Sequence, residues 1–304
     1  MSLDNLPPEL ILLISDHLDS KPLNALIQTA SYFARLLDPV LQDRVLAKSE
    51  YQQNLLVRAA KLGHEATIRK IHKRAQHRKK EICTPIMIEM LMWATTYQHT
   101  QLMEYILRGM NTDVNSMSDV NGERRTPLHE AAQKGYEAST RKLLELGADI
   151  DALDEAGRSA LHFAVEDPCQ ERSTAVLELT LEHGANTEVG ELYVGNKPLH
   201  WAITDKVWDG MEVLLDHGAD IEACNGRGET ALHVAAAGGT YSSVALLNRR
   251  GSDIFALTNA GHTCLDLAGT RFVADYLQEL GALTGKELRD LVSVPSLVPR
   301  SGPK

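Results

Sequence analysis

The chain has 304 residues, 43% of them apolar and 24% charged, with a formal net charge of −10. That length accommodates two ordinary domains or one repeat array with an attachment. The negative balance argues against nonspecific attachment to nucleic acid or anionic membrane. No apolar run approaches the roughly 20 residues of a membrane span. The Met-Ser-Leu-Asp-Asn opening carries acid rather than base and does not read as a secretory leader. Cys83, Cys169, Cys224 and Cys264 are scattered without a CxxC pair. They read as reduced thiols of a cytoplasmic or nuclear protein, not as a disulfide or zinc framework.

Residues 1–45 form the first segment. Leu10, Ile14 and Leu18 recur at helical spacing, and Pro7 and Pro8 suit a helix start, where a missing N–H costs nothing. Asp19-Ser20-Lys21-Pro22 breaks this helix, and Leu23, Leu26, Ala30 and Phe33 mark a second stripe. So short a piece needs a partner to cover its apolar faces. The Leu6-Pro7-Pro8-Glu9-Leu10 opening, the Ile14-x-x-x-Leu18 helix and the Ser31-Tyr32-Phe33 close resemble an F-box. That resemblance implies docking onto a Skp-type adaptor, and so onto a cullin ubiquitin ligase. The implied surface is Leu6, Pro7, Pro8, Leu10, Ile11, Ile14 and Leu18. The other reading of the segment is an amphipathic cap for the array that follows.

Two weakly patterned units come next. Leu55-Leu56-Val57-Arg58-Ala59-Ala60-Lys61-Leu62-Gly63-His64 reads as a helix and its turn, and Met90-Leu91-Met92-Trp93-Ala94 begins another. Between them Lys70 to Lys80 is densely basic. It reads as a solvated helix end, with a localisation signal as the alternative. An expanded turn follows at Ser116 to Asn121.

Then one phrase repeats. Thr126-Pro127-Leu128-His129 returns as Ser159-Ala160-Leu161-His162, Lys197-Pro198-Leu199-His200 and Thr230-Ala231-Leu232-His233, and decays to Thr263-Cys264-Leu265-Asp266. The copies start 33, 38, 33 and 33 positions apart. Three copies precede a helix with paired leucines stopped by glycine: Leu143-Leu144-Glu145-Leu146-Gly147, Leu214-Leu215-Asp216-His217-Gly218, and Leu246-Leu247 ahead of Gly251. Turns rich in Asp, Asn and Gly join the units. A fixed period of this size means units that bury their apolar faces only against neighbours.

The period and phrase resemble ankyrin repeats. The resemblance implies an all-α solenoid of helix-turn-helix units with β-hairpin-like turns, here preceded by the F-box-like segment. It spans 46–282 as about six repeats and a truncated C-terminal cap. Residues 283–304 read as a capping helix and a flexible, proline-containing tail. The stretch to 38 places an insertion at Asp167 to Arg172, and insertions in such arrays map to loops, often on the binding face.

The repeated histidines invite a metal reading. Stacked units separate equivalent atoms by about 10 Å, against the ~2.0–2.1 Å of a zinc–nitrogen bond, so no metal and no cofactor is expected. The residue after each histidine varies and, in ankyrin repeats, faces the concave groove. Trp93, Glu130, Phe163 and Trp201 occupy that position, with Tyr97, Lys134, Glu166 and Asp205 beside them. These eight are the expected target contacts; packing against neighbouring helices is the competing role. No P-loop, GxSxG, HExxH or dinucleotide fingerprint occurs, so no catalytic residue is assigned.

The expected function is a non-enzymatic adaptor: an F-box end recruiting the Skp-type adaptor and cullin complex, and a repeat groove holding an unknown target protein. Neither nucleic acid nor membrane is an expected partner. Two alternatives are a plain ankyrin scaffold and a small-molecule enzyme using the aromatic groove.

Overall fold

The computed structural model describes residues 56–120, 123–166, 174–204 and 207–293. The F-box-like residues lie outside this set, as do the 167–172 insertion and Asp205. The chain divides into two compact units. One comprises residues up to 131 together with 138–148; the other comprises 132–137 and everything from 149.

In the first unit, helical residues 56–61 precede α1 (Glu65–His77) and α2 (Thr84–Thr96). Next come α3 (Thr100–Glu104), a π-helical turn at Tyr105–Gly109, and a hairpin of β1 (Ser118–Val120) and β2 (Glu123–Arg125). The strands pair antiparallel, Asp119 opposite Arg124. The sequence marks this stretch only as an expanded turn. α4 (Pro127–Gln133) and α5 (Glu137–Glu145) follow, each with its last or first residues in the second unit. Leu56, Ile68, Ile71, Met90, Leu91 and Met103 are fully buried here. The basic stretch occupies the end of α1, where Lys70, Lys73 and His77 to Lys80 are exposed.

The second unit holds three helix pairs: α6 (Ala160–Val165) with α7 (Ala175–Glu182), α8 (Pro198–Thr204) with α9 (Trp208–Asp216), and α10 (Ala231–Ala237) with α11 (Tyr241–Arg249). The first helices pack on one another in order, α6 on α8 on α10, and α7 packs on α9. The paired leucines supply the seam: Leu161, Leu177, Leu199, Leu214, Leu232, Leu246 and Leu247 lie in one core cluster. α11, α9 and α5 end on Gly251, Gly218 and Gly147, all at positive φ. A Cβ at any of the three would meet nothing within 4 Å, so conformation rather than space selects glycine. The ends are Schellman turns; for α9, the Ala219 N–H reaches the Leu214 carbonyl at 3.0 Å. No described helix is long and apolar enough to cross a membrane.

The repeated histidine explains why the phrase recurs. In α6, Ser159 accepts the His162 N–H, while the Ser159 backbone N–H donates to His162 Nδ1 at 3.1 Å. Lys197 does the same to His200 (3.2 Å) and Thr230 to His233 (3.2 Å). A backbone N–H only donates, so Nδ1 must be bare and the ring proton sits on Nε2. That proton is spent on the next repeat. His162 Nε2 reaches the Asn196 carbonyl (3.3 Å), His200 the Glu229 carbonyl (3.0 Å), and His233 the carbonyls of Ala256 (3.1 Å) and His262 (3.2 Å). Each neutral ring caps its own helix and ties down its neighbour.

At the last copy, aspartate replaces histidine and the first helix shrinks to a turn. Asp266 keeps the capping half: its Oδ2 accepts the Thr263 N–H at 2.9 Å. A carboxylate has no proton to pass on, and the same oxygen accepts Gly285 N–H at 2.7 Å instead. A Cβ on Gly285 would come within 2.1 Å of the Gly261 carbonyl oxygen, so the chain fits there only as glycine. α12 (Arg271–Glu279), which packs on α11, and α13 (Gly285–Ser293) thereby close the array.

Burial pushes His162 from 6.5 down to about 4 and lowers His200 and His233 as well. Unfolded histidines therefore bind protons that the folded ones refuse across this window. The stabilisation is complete above pH 6.5 and is lost as pH falls towards 4, by about 3 kcal/mol for His162. In His162→Gln, whose side chain still caps but does not titrate, urea denaturation should show a shallower fall in stability between pH 6.5 and 4. Separately, Asp266→Ala leaves two N–H groups without their acceptor and should cost about 2–3 kcal/mol. Hydrogen exchange should show Gly285 losing protection first.

Candidate functional site

The first unit carries a cleft of about 810 Å³ between α2 and the β1–β2 hairpin. Pro85 starts α2 with Cys83 as its cap, and the helix projects Ile88, Glu89, Met92, Trp93 and Thr96 into the cleft. The hairpin supplies Ser118, Asp119 and Arg124, preceded by Met117, and α4 supplies Glu130. One wall is therefore apolar and aromatic. The opposite side carries the carboxylates of Asp119 and Glu130 and the Arg124 guanidinium, and Glu89 adds a third carboxylate from α2 itself.

Trp93 is half-buried, and Lys61 Nζ lies 4.0 Å from its ring centroid. Its indole stacks on Tyr97 at 5.9 Å, and Tyr97 stacks on His99 at 6.2 Å. His99 Nε2 is 3.2 Å from the Lys61 carbonyl, which closes a small aromatic and cationic cluster. Tyr97 is exposed but is not among the residues lining the cleft. Trp93 and Glu130 are the two sequence-predicted contacts that the fold brings into one site.

In the second unit the expected aromatic floor is corrected. Phe163 is fully buried. The Arg158 guanidinium sits 4.6 Å from its ring centroid and 5.9 Å from that of the half-buried Trp201. Arg158 is itself held by Asp154 at 2.7 Å, with Asp154 buried. Asp154 Oδ1 also accepts the Ala156 and Arg158 N–H groups, so this pair shapes the turn before α6. Trp201 meets His162 edge-on at 5.7 Å. These rings cover a turn and a linking histidine; a ring with no exposed surface offers a partner nothing. Glu166 takes a hydrogen bond from Gln133 at 3.1 Å, and Lys134 is half-buried with interactions of its own.

Other features had weak signals in the sequence. Asp151, Glu188 and Glu222 form a carboxylate ladder, each accepting a backbone N–H from the next unit: Asn186 (2.9 Å), Asp220 (3.0 Å) and Asp253 (2.8 Å). Burial opposes ionisation of Glu188, but Lys197 at 2.8 Å and the Asp220 N–H outweigh it and lower its pKa. Burial prevails at Glu222 and raises its pKa. At the fourth register position stands Phe255, which has no carboxylate to continue the ladder. The turns also bond to one another: Leu192 N–H to the Ala156 carbonyl (2.8 Å), Gly226 to Val194 (2.7 Å) and Asn259 to Arg227 (3.1 Å). The extra residue at Leu192-Tyr193-Val194 leaves Leu192 and Tyr193 strongly exposed. A second, smaller cleft of about 340 Å³ lies beside α8 and α10, lined by Ile203, Arg227, Glu229 and Val234 among others. Glu89, Asp119 and Arg124 carry no motif in the sequence; of the three, only Asp119 falls in the expanded turn at Ser116 to Asn121.

Among the described residues no three His, Cys, Asp or Glu side chains cluster as a metal site. The repeated histidines serve as hydrogen-bonded framework.

Comparison with known proteins agrees with that description. A family model described as ankyrin repeats (3 copies) matches residues 56–154, 91–191, 141–225 and 161–258. The mouse B-cell lymphoma 3 protein homolog is 39% identical over 116 residues, 38% of this chain and 25% of that protein. Human neurogenic locus notch homolog protein 1 is 31% identical over 136 residues, 45% of this chain and 5% of that protein. This chain thus covers only a small part of either relative. The crystal structure of the ankyrin repeat domain of Bcl-3, described as a unique member of the IkappaB protein family, superposes with a TM-score of 0.64. It is 26% identical, and the match covers 73% of this chain and 97% of that domain. The repeated phrase, its linking histidines, the family match and the shared fold together establish that this chain belongs to the ankyrin-repeat family.

Proposed function

We propose that the chain is a protein-interaction adaptor that holds a target protein through its repeats and performs no covalent step itself. The observation that carries the target half is the α2 cleft. It combines a half-buried tryptophan, an apolar wall and charged groups in one opening of about 810 Å³. Aromatic anchors in such settings dominate binding energies between proteins. Membership of the ankyrin-repeat family supports protein partners in general.

The second half of the proposal rests on sequence. The Leu6-Pro7-Pro8-Glu9-Leu10 opening and Ile14-x-x-x-Leu18 helix support docking of residues 1–45 onto a Skp-type adaptor and its cullin complex. On this reading the chain is the substrate-recognition subunit of an SCF-type ubiquitin ligase, working in cytoplasm or nucleus. Its mechanism is proximity, raising the effective concentration of the target beside the catalytic subunits. A plain ankyrin scaffold shares the target half and lacks the adaptor half. The enzyme alternative loses support in the second unit, because Phe163 is buried and Trp201 leans on a linking histidine.

The intact chain should co-elute with a Skp-type adaptor in size-exclusion chromatography, and the Leu6→Asp, Pro7→Asp double variant should not. If the intact chain forms no such complex, the ligase half falls and the scaffold reading takes its place. Affinity purification with mass spectrometry should recover the target from both proteins. Trp93→Ala, checked for fold by circular dichroism, should weaken target capture by about 2 kcal/mol, roughly thirtyfold.

A further inference from the structure

Glu130 faces the α2 cleft from a helix that is otherwise largely closed off from solvent. The residue is only 6% exposed and lines the α2 cleft. Among the described residues its carboxylate has no hydrogen-bond or ion-pair partner. Its oxygens are not among the buried, unpartnered polar atoms, so the carboxylate keeps its water through the cleft. A partner that covers the cleft displaces that water, and a carboxylate so covered needs a paired charge. Glu130 occupies the position after a linking histidine, on a helix held in place by that histidine's cap, so it cannot easily turn away. Its neighbours do not offset it. Glu89 and Asp119 line the same cleft, giving three carboxylates against the single guanidinium of Arg124. The remaining wall is Pro85, Ile88, Met92 and Trp93.

We propose that this cleft receives a lysine or arginine side chain of the target protein, its cationic head on Glu130 and its methylene stem against Trp93 and Met92. Long cationic side chains are built for such a site, because their stems bury against apolar surface while the head keeps a polar partner. The surplus of carboxylate attracts such a group before contact. A neutral or acidic side chain would leave Glu130 unpaired and gains nothing from the site. The inference rests on the target-binding reading above and adds the chemistry of the contact.

The test uses the full chain and three probes: acetyl-Gly-Arg-Gly-amide, acetyl-Gly-Lys-Gly-amide, and the same peptide with uncharged citrulline. The readout is the Trp93 indole N–H signal in nuclear magnetic resonance spectra, with Trp201 and Trp208 as internal references. Saturable shifts of Trp93 alone are expected with the two cationic peptides and not with citrulline. Glu130→Gln should reduce the response to the citrulline level. Asp119→Asn, at an exposed strand position, should weaken binding about two- to fivefold. Unchanged thermal melting shows that both variants fold. An equal response to citrulline, an undiminished response in folded Glu130→Gln, or no saturable response to either cation overturns the inference. A target that the chain captures equally well with Glu130→Gln also overturns it and leaves the target-binding reading intact. Failure to capture any target, with the cation response present, does the reverse.

Discussion

The repeats depend on one imidazole held in one protonation state. Nδ1 must accept a backbone N–H from its own helix start, and Nε2–H must donate to a carbonyl of the following repeat. Neither glutamine nor lysine offers this division in so compact a ring, and protonated histidine does not either, because two donors would then meet at Nδ1. Burial enforces the neutral form, with His162 held to about 4. Local helix capping and longer-range assembly thus share one side chain. Where assembly ends, Asp266 keeps the acceptor role and lacks the donor.

A second linkage runs along the turns. Asp151, Glu188 and Glu222 each accept a backbone N–H of the next unit, and the turn tips bond carbonyl to amide. A run of acidic residues in one register would otherwise read as a solvated face. Here much of that charge is structural, which also accounts for part of the chain's negative balance. Phe255 ends this ladder as Asp266 ends the histidine series. Both linkages stop at the same repeat.

The framework uses some of the variable positions and leaves others open. Phe163 and Trp201 are absorbed by Arg158 and His162, whereas Trp93 stands at the edge of a cleft and Glu130 faces into it. All four occupy the same register position. What separates them is their surroundings: a buried Asp154–Arg158 pair covers the rings of one unit, and a β-hairpin opens a cleft beside α2 in the other.

Much of this was legible in the residues alone. The period, the phrase, the paired leucines and the terminal glycines identify an ankyrin array, because each reports a local requirement: a cap, an apolar stripe, a positive φ. The loss of the phrase at Asp266 also shows in one letter. Which variable positions remain open to a partner was not legible. The sequence assigns Trp93, Phe163 and Trp201 the same register, and only packing shows that Phe163 is enclosed. The same holds for the hairpin, for the company of Glu89 and Asp119, and for the missing partner of Glu130. Exposure and pairing are set by residues distant along the chain, and no local pattern encodes them.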